Sequence, residues 1–505
     1  MNSKLQRRRN GRFYIYTLGE IKIQIIRRNN MKKNGIKALA CLMVMATTIT
    51  ACGEKKEVDY VDNQNVSESS ASMDEVSGGT SSEADGEVVY EEVPEHITYD
   101  VVCDRVTVSV DADVSLPQKY EQCKVVELEK SVMSDEELKS YVESTFDEGS
   151  YFLYMPYSED EIANAKDKLI NIAAQTSDER LSNVINDVII PQLDESVDTY
   201  VDSDNAITDE MKFQSLNVIA GMGNELVPCE MCNVIGTIDG EYYIIEAYRD
   251  KTNQFVRLSK LSDAGKAATD VGPGYAEMTG EANSCEYSRE EAQQLALDYV
   301  NGLGIENMSV VYTADVLTSS YDAGEEIVYI GEGYDNSSKL EGYNVYLARS
   351  YDDYKTVFTS EQFVNWYDVA YEDAASGELV TMRGSEFIRV WVTSDGIAAY
   401  ENCNELTEVN VTAEAANLLD FNSVNEVAKD YIMDFANTYE AAFDVDRITL
   451  GYAMVEQDGK YAVIPAWYYF MSDGDVNNID AYEFPVVAIN ALDGTIVELV
   501  TSSLQ

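Results

Sequence analysis

Twice in its second half the chain sets down a capped amphipathic helix and follows it with a run of strand-like segments. The first helix is "SREEAQQLALDYVNGLG", residues 288–304, with Ser288 as N-cap and Glu291 three positions on, the pattern of a capping box. It leads into "MSVVYTADVL", "EIVYIG", "EGYNVYLARS", "QFVNWYDVAYED" and "EFIRVWVTSDGIAAYENC". The second helix is "SVNEVAKDYIMDFANTY", residues 423–439, with Ser423 as the expected cap and Glu426 three on. Behind it come "RITLGYAMVE", "KYAVIPAWYYF", "FPVVAINA" and "TIVELVT", with hairpin-type turns at Asp458-Gly459 and Asp493-Gly494. A helix followed by closely spaced strands reads as a helix packed on antiparallel sheet. The absence of βαβ alternation argues against a two-lobed solute-binding fold.

Residues 95–270 read as another α+β region. "ITYDVVCDRVTVSVDADVSLP" alternates as strands do. "SDEELKSYVESTF" offers Ser134 and Glu137 as a capping box, and "SEDEIANAKDKLINIA" and "SDERLSNVINDVIIPQL" are further helices. "CNVIGTIDGEYYIIEAYRDKTNQFVRLSKL" closes the region as strands joined by turns at Asp239-Gly240 and Lys251-Thr252-Asn253. The Gly-rich stretch 263–283 reads as a linker, which sets a middle module at 284–405 and a C-terminal one at 406–505. The expected fold class is α+β, several modules of helix on antiparallel sheet behind a disordered spacer.

That spacer is residues 52–94, rich in Ser, Glu, Asp and Gly and too polar to bury a core. It begins at a cysteine. Met31-Lys32-Lys33 gives a basic start, "GIKALACLMVMATTIT" a short apolar run, and Ile49-Thr50-Ala51-Cys52 the border. This order resembles the lipobox of bacterial lipoproteins. The resemblance implies cleavage after Ala51 and acyl chains on Cys52, which would hold the chain to the outer face of the cell membrane. Residues 31–51 are then a signal peptide, and Met31 reads as the true start, with 1–30 an upstream extension outside the fold.

The chain carries one histidine, His96. Ser-His-Asp and Cys-His nucleophilic schemes and HExxH zinc sites are thereby excluded, whereas carboxylate-only chemistry and simple binding survive. Asp and Glu number 91 against 36 Lys and Arg. Eleven of the basic residues and one acid precede Cys52, so the remainder is more acidic still. Such a surface repels nucleic acid. It favours cations or basic partners, or simply keeps an exported protein soluble.

The segments "ITLGY", "YAVIPAWYYF" and "VVAINALDGTIVEL" carry Gly451-Tyr452, Pro465-Ala466-Trp467 and Asn490-Ala491-Leu492-Asp493-Gly494. They resemble the final strands of YycH/YycI-type regulatory domains and the related PepSY modules. "VSVDADVSLP" and "EFIRVWVTSDGIAAYENC" resemble clostridial-type surface lipoproteins of that group. YycH and YycI proteins hold to the membrane by an N-terminal helix rather than a lipid. What the resemblance implies is an extracytoplasmic module that binds or modulates another protein without catalysis.

Four constellations stand out. Trp366 and Tyr367 in "NWYDVAYED", and Trp467 and Tyr469 in "PAWYYF", form either an exposed recognition platform or the two buried faces of a layered sheet. In "DGDVNNIDAYE", Asp473, Asp475, Asn477 and Asp480 echo the oxygen spacing of a calcium loop. Position six is Asn478 and position twelve Phe484, so a solvated acidic loop competes with that reading. Cys229 and Cys232 make a CxxC in a hairpin context, which favours a structural disulfide or free thiols over a redox centre. Cys285 and Cys403 bracket the middle module. A bridge between them would close a loop of about 118 residues, worth roughly 4–5 kcal/mol by chain entropy; two free thiols are the alternative.

The expectation is a lipid-anchored, non-enzymatic binding or regulatory protein with a protein, peptide or cell-wall ligand and no cofactor. The rival is a carboxylate-dependent cell-wall glycan hydrolase, which needs two acids ~5–9.5 Å apart across a cleft.

Overall fold

In the computed structural model the described residues are 93–120, 123–154, 159–191, 193, 213–220, 225–249, 254–263, 266–271, 280–320, 339–352, 354–357, 369–372, 379–382, 386–413, 416–439, 442–457, 460–472 and 485–497. The expected signal peptide and almost all of the spacer, Cys52 included, lie outside them. The chain is α+β, with helices packed on antiparallel sheets.

Strands β1 (His96–Val102), β2 (Thr107–Ser115) and β3 (Val125–Lys130) open the fold. Helix α1 (Asp135–Thr145), the two-residue β4 (Phe152–Leu153) and helices α2 (Glu159–Gln175) and α3 (Glu179–Val184) follow. Then come β5 (Gln214–Ala220), β6 (Glu225–Ile238), β7 (Glu241–Arg249), β8 (Gln254–Lys260) and β9 (Lys266–Val271). Helix α4 (Arg289–Gly302) leads to β10 (Met308–Ser320), β11 (Lys339–Tyr351) and β12 (Tyr354–Lys355). The small β13 (Val369–Glu372) and β14 (Leu379–Met382) pair with each other, and β15 (Phe387–Thr393) and β16 (Gly396–Cys403) come next. The chain ends with β17 (Leu406–Ala413), α5 (Phe421–Tyr439), β18 (Asp444–Gln457), β19 (Lys460–Met471) and β20 (Pro485–Asn490).

Two large sheets carry the fold. One has seven strands in the order β1-β2-β18-β19-β3-β17, with β20 also on β19. The other has eleven, in the order β4-β6-β7-β8-β16-β15-β11-β10-β9, with β5 on β6 and β12 on β11. The pairings cut across the expected module boundaries. Strands β1 to β3 leave the N-terminal region to join the last strands of the chain, and β7–β8 continue into β16 and β15. Part of the expected linker is β9, an edge strand paired to β10.

Each sheet packs capped helices against a face, as the patterns imply. On the seven-stranded sheet, Val424, Ala428, Ile432 and Ala436 of α5 recur every four residues and pack on Val110, Ile448, Leu450, Trp467 and Ile489. On the eleven-stranded sheet, Ala292, Ala296 and Val300 of α4 and Leu138 and Val142 of α1 pack on Val234, Ile245, Val345, Val390 and Tyr400. Its opposite face is covered at one end by α2, α3 and the π-helical turn Ile185–Ile189, through Leu169, Leu181 and Ile185 on Ile235 and Ile244.

Both capping boxes read from Ser134 and Ser288 are formed. Ser423 is not a cap. Helix α5 starts at Phe421, and the Asp420 carboxylate accepts from the Ser423 N–H at 2.9 Å, so the acid one turn earlier takes the role. Asp239-Gly240 forms a two-residue turn between β6 and β7 with both residues at positive φ.

Candidate functional site

The two sheets meet where β18 changes partners. Strand β2 runs parallel to β18 as far as Ser115 opposite Thr449, then turns away through Leu116 and Pro117. Two residues beyond the change of partner lies Gly451. At Tyr452 the edge is taken up by Thr356, just past β12, and the Val357 N–H donates to the Tyr452 carbonyl at 3.0 Å. Gly451 permits this crossing. A Cβ there would lie 2.5 Å from Cγ2 of Val357 and 2.9 Å from the Lys355 carbonyl oxygen. Tyrosines fill the joint: Tyr351 and Tyr354 pack on Tyr452 with ring centroids 5.8 and 5.1 Å away. The Tyr354 hydroxyl donates to the Tyr120 carbonyl.

The partner change leaves a groove of about 300 Å³. Its walls include Leu116, Pro117, Val311, Tyr312, Val357 and Phe470, and its polar groups include Lys355, Arg447 and Thr449. Bulges occur beside it in β10, between Val310 and Tyr312, and in β18, between Val445 and Arg447. Bulges re-aim side chains and are frequent next to functional sites. The Arg447 guanidinium lies 3.9 Å from the Phe470 ring centroid, and Lys355 Nζ donates to the Val310 carbonyl at 3.2 Å. The Thr449 hydroxyl is shut off from solvent without a hydrogen-bond partner among the described residues. Among the described residues no Asp or Glu lines the groove.

The joint is also stapled by a buried ion pair. Arg349 on β11 grips Glu386 in a two-point contact, Nε to Oε2 at 2.6 Å and Nη2 to Oε1 at 2.8 Å. Glu386 in turn accepts from the Leu406 N–H of β17 at 2.7 Å. Burial raises the Glu386 carboxyl above its usual range despite the single arginine.

A second polar constellation crosses the eleven-stranded sheet. Register places Glu246, Arg257, Glu401, Arg389 and Tyr346 side by side on β7, β8, β16, β15 and β11. Arg257 Nε and Nη2 reach Glu401 Oε1 at 2.9 and 2.5 Å, and Arg389 Nη2 reaches Oε2 at 2.6 Å. Tyr346 and Asn344 both donate to Asp270 at 2.5 Å. Burial alone would raise the Glu401 carboxyl, but Arg257 and Arg389 together hold it below the usual carboxylate range. A carboxylate kept ionised between two guanidiniums has no proton to donate, and its lone pairs are engaged. This row is suited to holding strands in register.

Asp263, after β8, sits 2.7 Å from Arg180 on α3. Burial nonetheless pushes its carboxyl up to about 6.

The residues singled out in the sequence fall as follows. Trp467 and Tyr469 do share a face, with Tyr468 and Phe470 on the other, but all four are at most 2% exposed. They are core on both faces, and none is a platform. The Tyr469 hydroxyl donates to Asn425 of α5 at 3.3 Å. Cys285 and Cys403 are free thiols on opposite faces of the eleven-stranded sheet. Cys285 packs on the α4 side and Cys403 sits with Phe255, Tyr346 and Phe387 on the other, so the sheet lies between them and the expected bridge is not formed. Cys229 and Cys232 lie within one strand, β6, where Cys232 is buried. Cys52, Trp366, Tyr367, Asp473, Asp475, Asn477 and Asp480 lie outside the described residues.

Lys355, Arg447 and Thr449 were not singled out in the sequence. Their signal is rarity: after Cys52 basic residues are few, and "DRITLGY" puts one in a strand two residues before Thr449. Comparison with protein-family models, curated proteins and solved structures finds no match.

Proposed function

We propose that the chain is a lipid-anchored extracytoplasmic protein that binds a protein, peptide or cell-wall ligand without transforming it. Its C-terminal strands would then act as YycI/PepSY-like modules do, and its acyl-bearing residue would be Cys52. The groove at the crossing of the two sheets supports this reading most. It combines apolar walls with a few convergent polar groups, as ligand sites do. Among the described residues no helix is long and apolar enough to cross a membrane. A glycan hydrolase is less well supported. Among the described residues the groove lining contributes no carboxylate pair, and Glu401 and Glu386 are tied into arginine contacts.

Two measurements test the reading. Cys52→Ala is expected to release the protein from the membrane fraction; unchanged association and processing would remove the lipid anchor. A photo-crosslinking residue at Tyr312, in the groove, is expected to capture a defined partner at the cell surface. The same residue at Ile170, an exposed position on α2, serves as control. Equal capture at both, or turnover of wall glycan by the purified chain, would defeat the binding assignment.

A further inference from the structure

His96, the chain's one histidine, stands at the first position of β1, where the expected spacer gives way to the sheet. Among the described residues β1 is an edge strand with β2 as its partner. The Val114 N–H donates to the Glu95 carbonyl at 2.9 Å. Pair types alternate along an antiparallel ladder, so His96 and Asp113 face each other in a pair of the non-hydrogen-bonded kind, in which side chains approach most closely. The imidazole thus reaches two carboxylates of β2. Its Nδ1 lies 2.8 Å from Asp113 Oδ1, and its Nε2 lies 2.9 Å from Asp111 Oδ1. The Thr98 hydroxyl donates to the same Asp111 oxygen at 2.9 Å.

An ionised carboxylate only accepts, so both ring nitrogens must donate, and only the imidazolium has two N–H groups. A neutral ring keeps one carboxylate and turns a lone pair on the other. The surroundings favour the charged form. Glu95 precedes His96, and Asp100 lies on the same face of β1. On β18, Asp444 and Arg447 stand in register with Ser109 and Asp113, and Asp446 lies in the bulge between them. Helix α5 lies on the opposite face, with Lys429 over the Tyr99 ring and Glu426 nearby. The bonds to Asp113 and Asp111 raise the His96 ring above its ordinary value of 6.5. The next hold on the strand is Tyr99, whose hydroxyl donates to Asn425 of α5 at 2.8 Å.

We propose that His96 is a protonation-dependent clasp: as imidazolium it holds β1 to β2 from the strand's first residue, and as a neutral ring it lets β1 fray back to Tyr99. The clasp does not depend on the groove. Because the folded value is raised, the hold is complete below pH 6.5 and is lost as pH rises through the higher folded value. Opening adds three residues, about 10 Å, to the chain ahead of the sheet.

The test uses the untagged full-length chain, in which His96 supplies the only histidine ring signals of an NMR titration. The midpoint is expected above 6.5 and should fall back toward it in the Asp111→Asn, Asp113→Asn double variant. Hydrogen exchange, corrected for the intrinsic effect of pH, reads the strand itself. Protection at Ile97 is expected to be about two- to fivefold greater at about pH 5.5 than at about pH 8.5, the range of an exposed ion pair, with Val101 equal at both. His96→Gln is expected to abolish the difference. A midpoint at or below 6.5, or one indifferent to the loss of both carboxylates, overturns the clasp. Equal protection of Ile97 at the two pH values, or the same change in His96→Gln, overturns it even where the midpoint is raised. A change that runs through Val101 would overturn the limit at Tyr99.

Discussion

The two sheets close their second faces in opposite ways. On the seven-stranded sheet, Ile464, Ala466, Tyr468 and Phe470 of β19 close it with apolar surface. Only the two end residues of β19 escape burial. The eleven-stranded sheet runs a row of ions across its middle, with Glu401 at 1% exposure between two arginines. Apolar burial is indifferent to partner, so a slipped strand can still be comfortable. A buried carboxylate is not, because a one-residue slip turns it to the other face and strands its arginines. The ionic sheet is therefore specified by pairing and the apolar one by volume.

Removing the centre of the row should have the largest effect. Glu401→Gln leaves Arg257 and Arg389 buried with their shared partner neutralised, and a cost of about 3–5 kcal/mol in urea unfolding is expected. The pH sense follows from the depressed carboxyl. Its contribution is complete above the unfolded-state value near 4.5 and is lost as pH falls through the lower folded value. A loss below about 1 kcal/mol would mean that the row is ornament and that both sheets rest on volume alone.

Gly451→Ala probes the other side of the comparison, where volume rules. The new methyl meets the Lys355 carbonyl and the Val357 side chain. Overpacking of this kind costs about 1–3 kcal/mol. Unchanged thermal stability would show that the crossing can open without penalty.

The smallest effect belongs to Asp263, where burial outweighs the neighbouring positive charge. Against Arg180, itself 42% exposed, and the more distant charge of Lys260, burial wins and the carboxyl titrates at about 6. The folded chain thus takes up this proton more readily than the unfolded chain, in which Asp titrates near 4. Ionised Asp263 opposes folding above pH 6, and the penalty fades as pH falls toward 4. Asp263→Asn is expected to stabilise by about 1–2 kcal/mol at pH 8, less than the full shift because Arg180 loses its partner, and by nothing at pH 4. A gain that persists at pH 4 would point to packing instead of charge.

Local features were legible in the sequence and pairings were not. The capping boxes at Ser134 and Ser288 and the Asp239-Gly240 turn are fixed by residues a few positions apart, and they formed as read. The cap of α5 was read one turn late because Asp420 and Ser423 are both competent, and the choice lies in the backbone around them. The pairing of β2 with β18 joins Val110 to Val445, and no local pattern encodes a partner that distant. Burial of Trp467 and Tyr469 follows from the same limit. Alternation assigns them to a common face, but only the arrival of α5 decides that this face is closed. The groove was invisible for a related reason: Lys355 and Arg447 come together only where β12 crosses β18.

The seven-stranded sheet is assembled from the two ends of the chain, and that sets a clock on its formation. Strands β1 to β3 emerge first during synthesis, while β18 and β19 follow more than three hundred residues later. Through that interval Val108, Val110 and Ala112 of β2 have no α5 to cover them, and β2 itself offers an open edge. The eleven-stranded sheet draws all its strands from between, so it can close while the other waits. Non-local pairing of this kind is slow and leaves a sticky intermediate. A chain cut short before β18 would carry that stickiness permanently, whatever the stability of the part already folded.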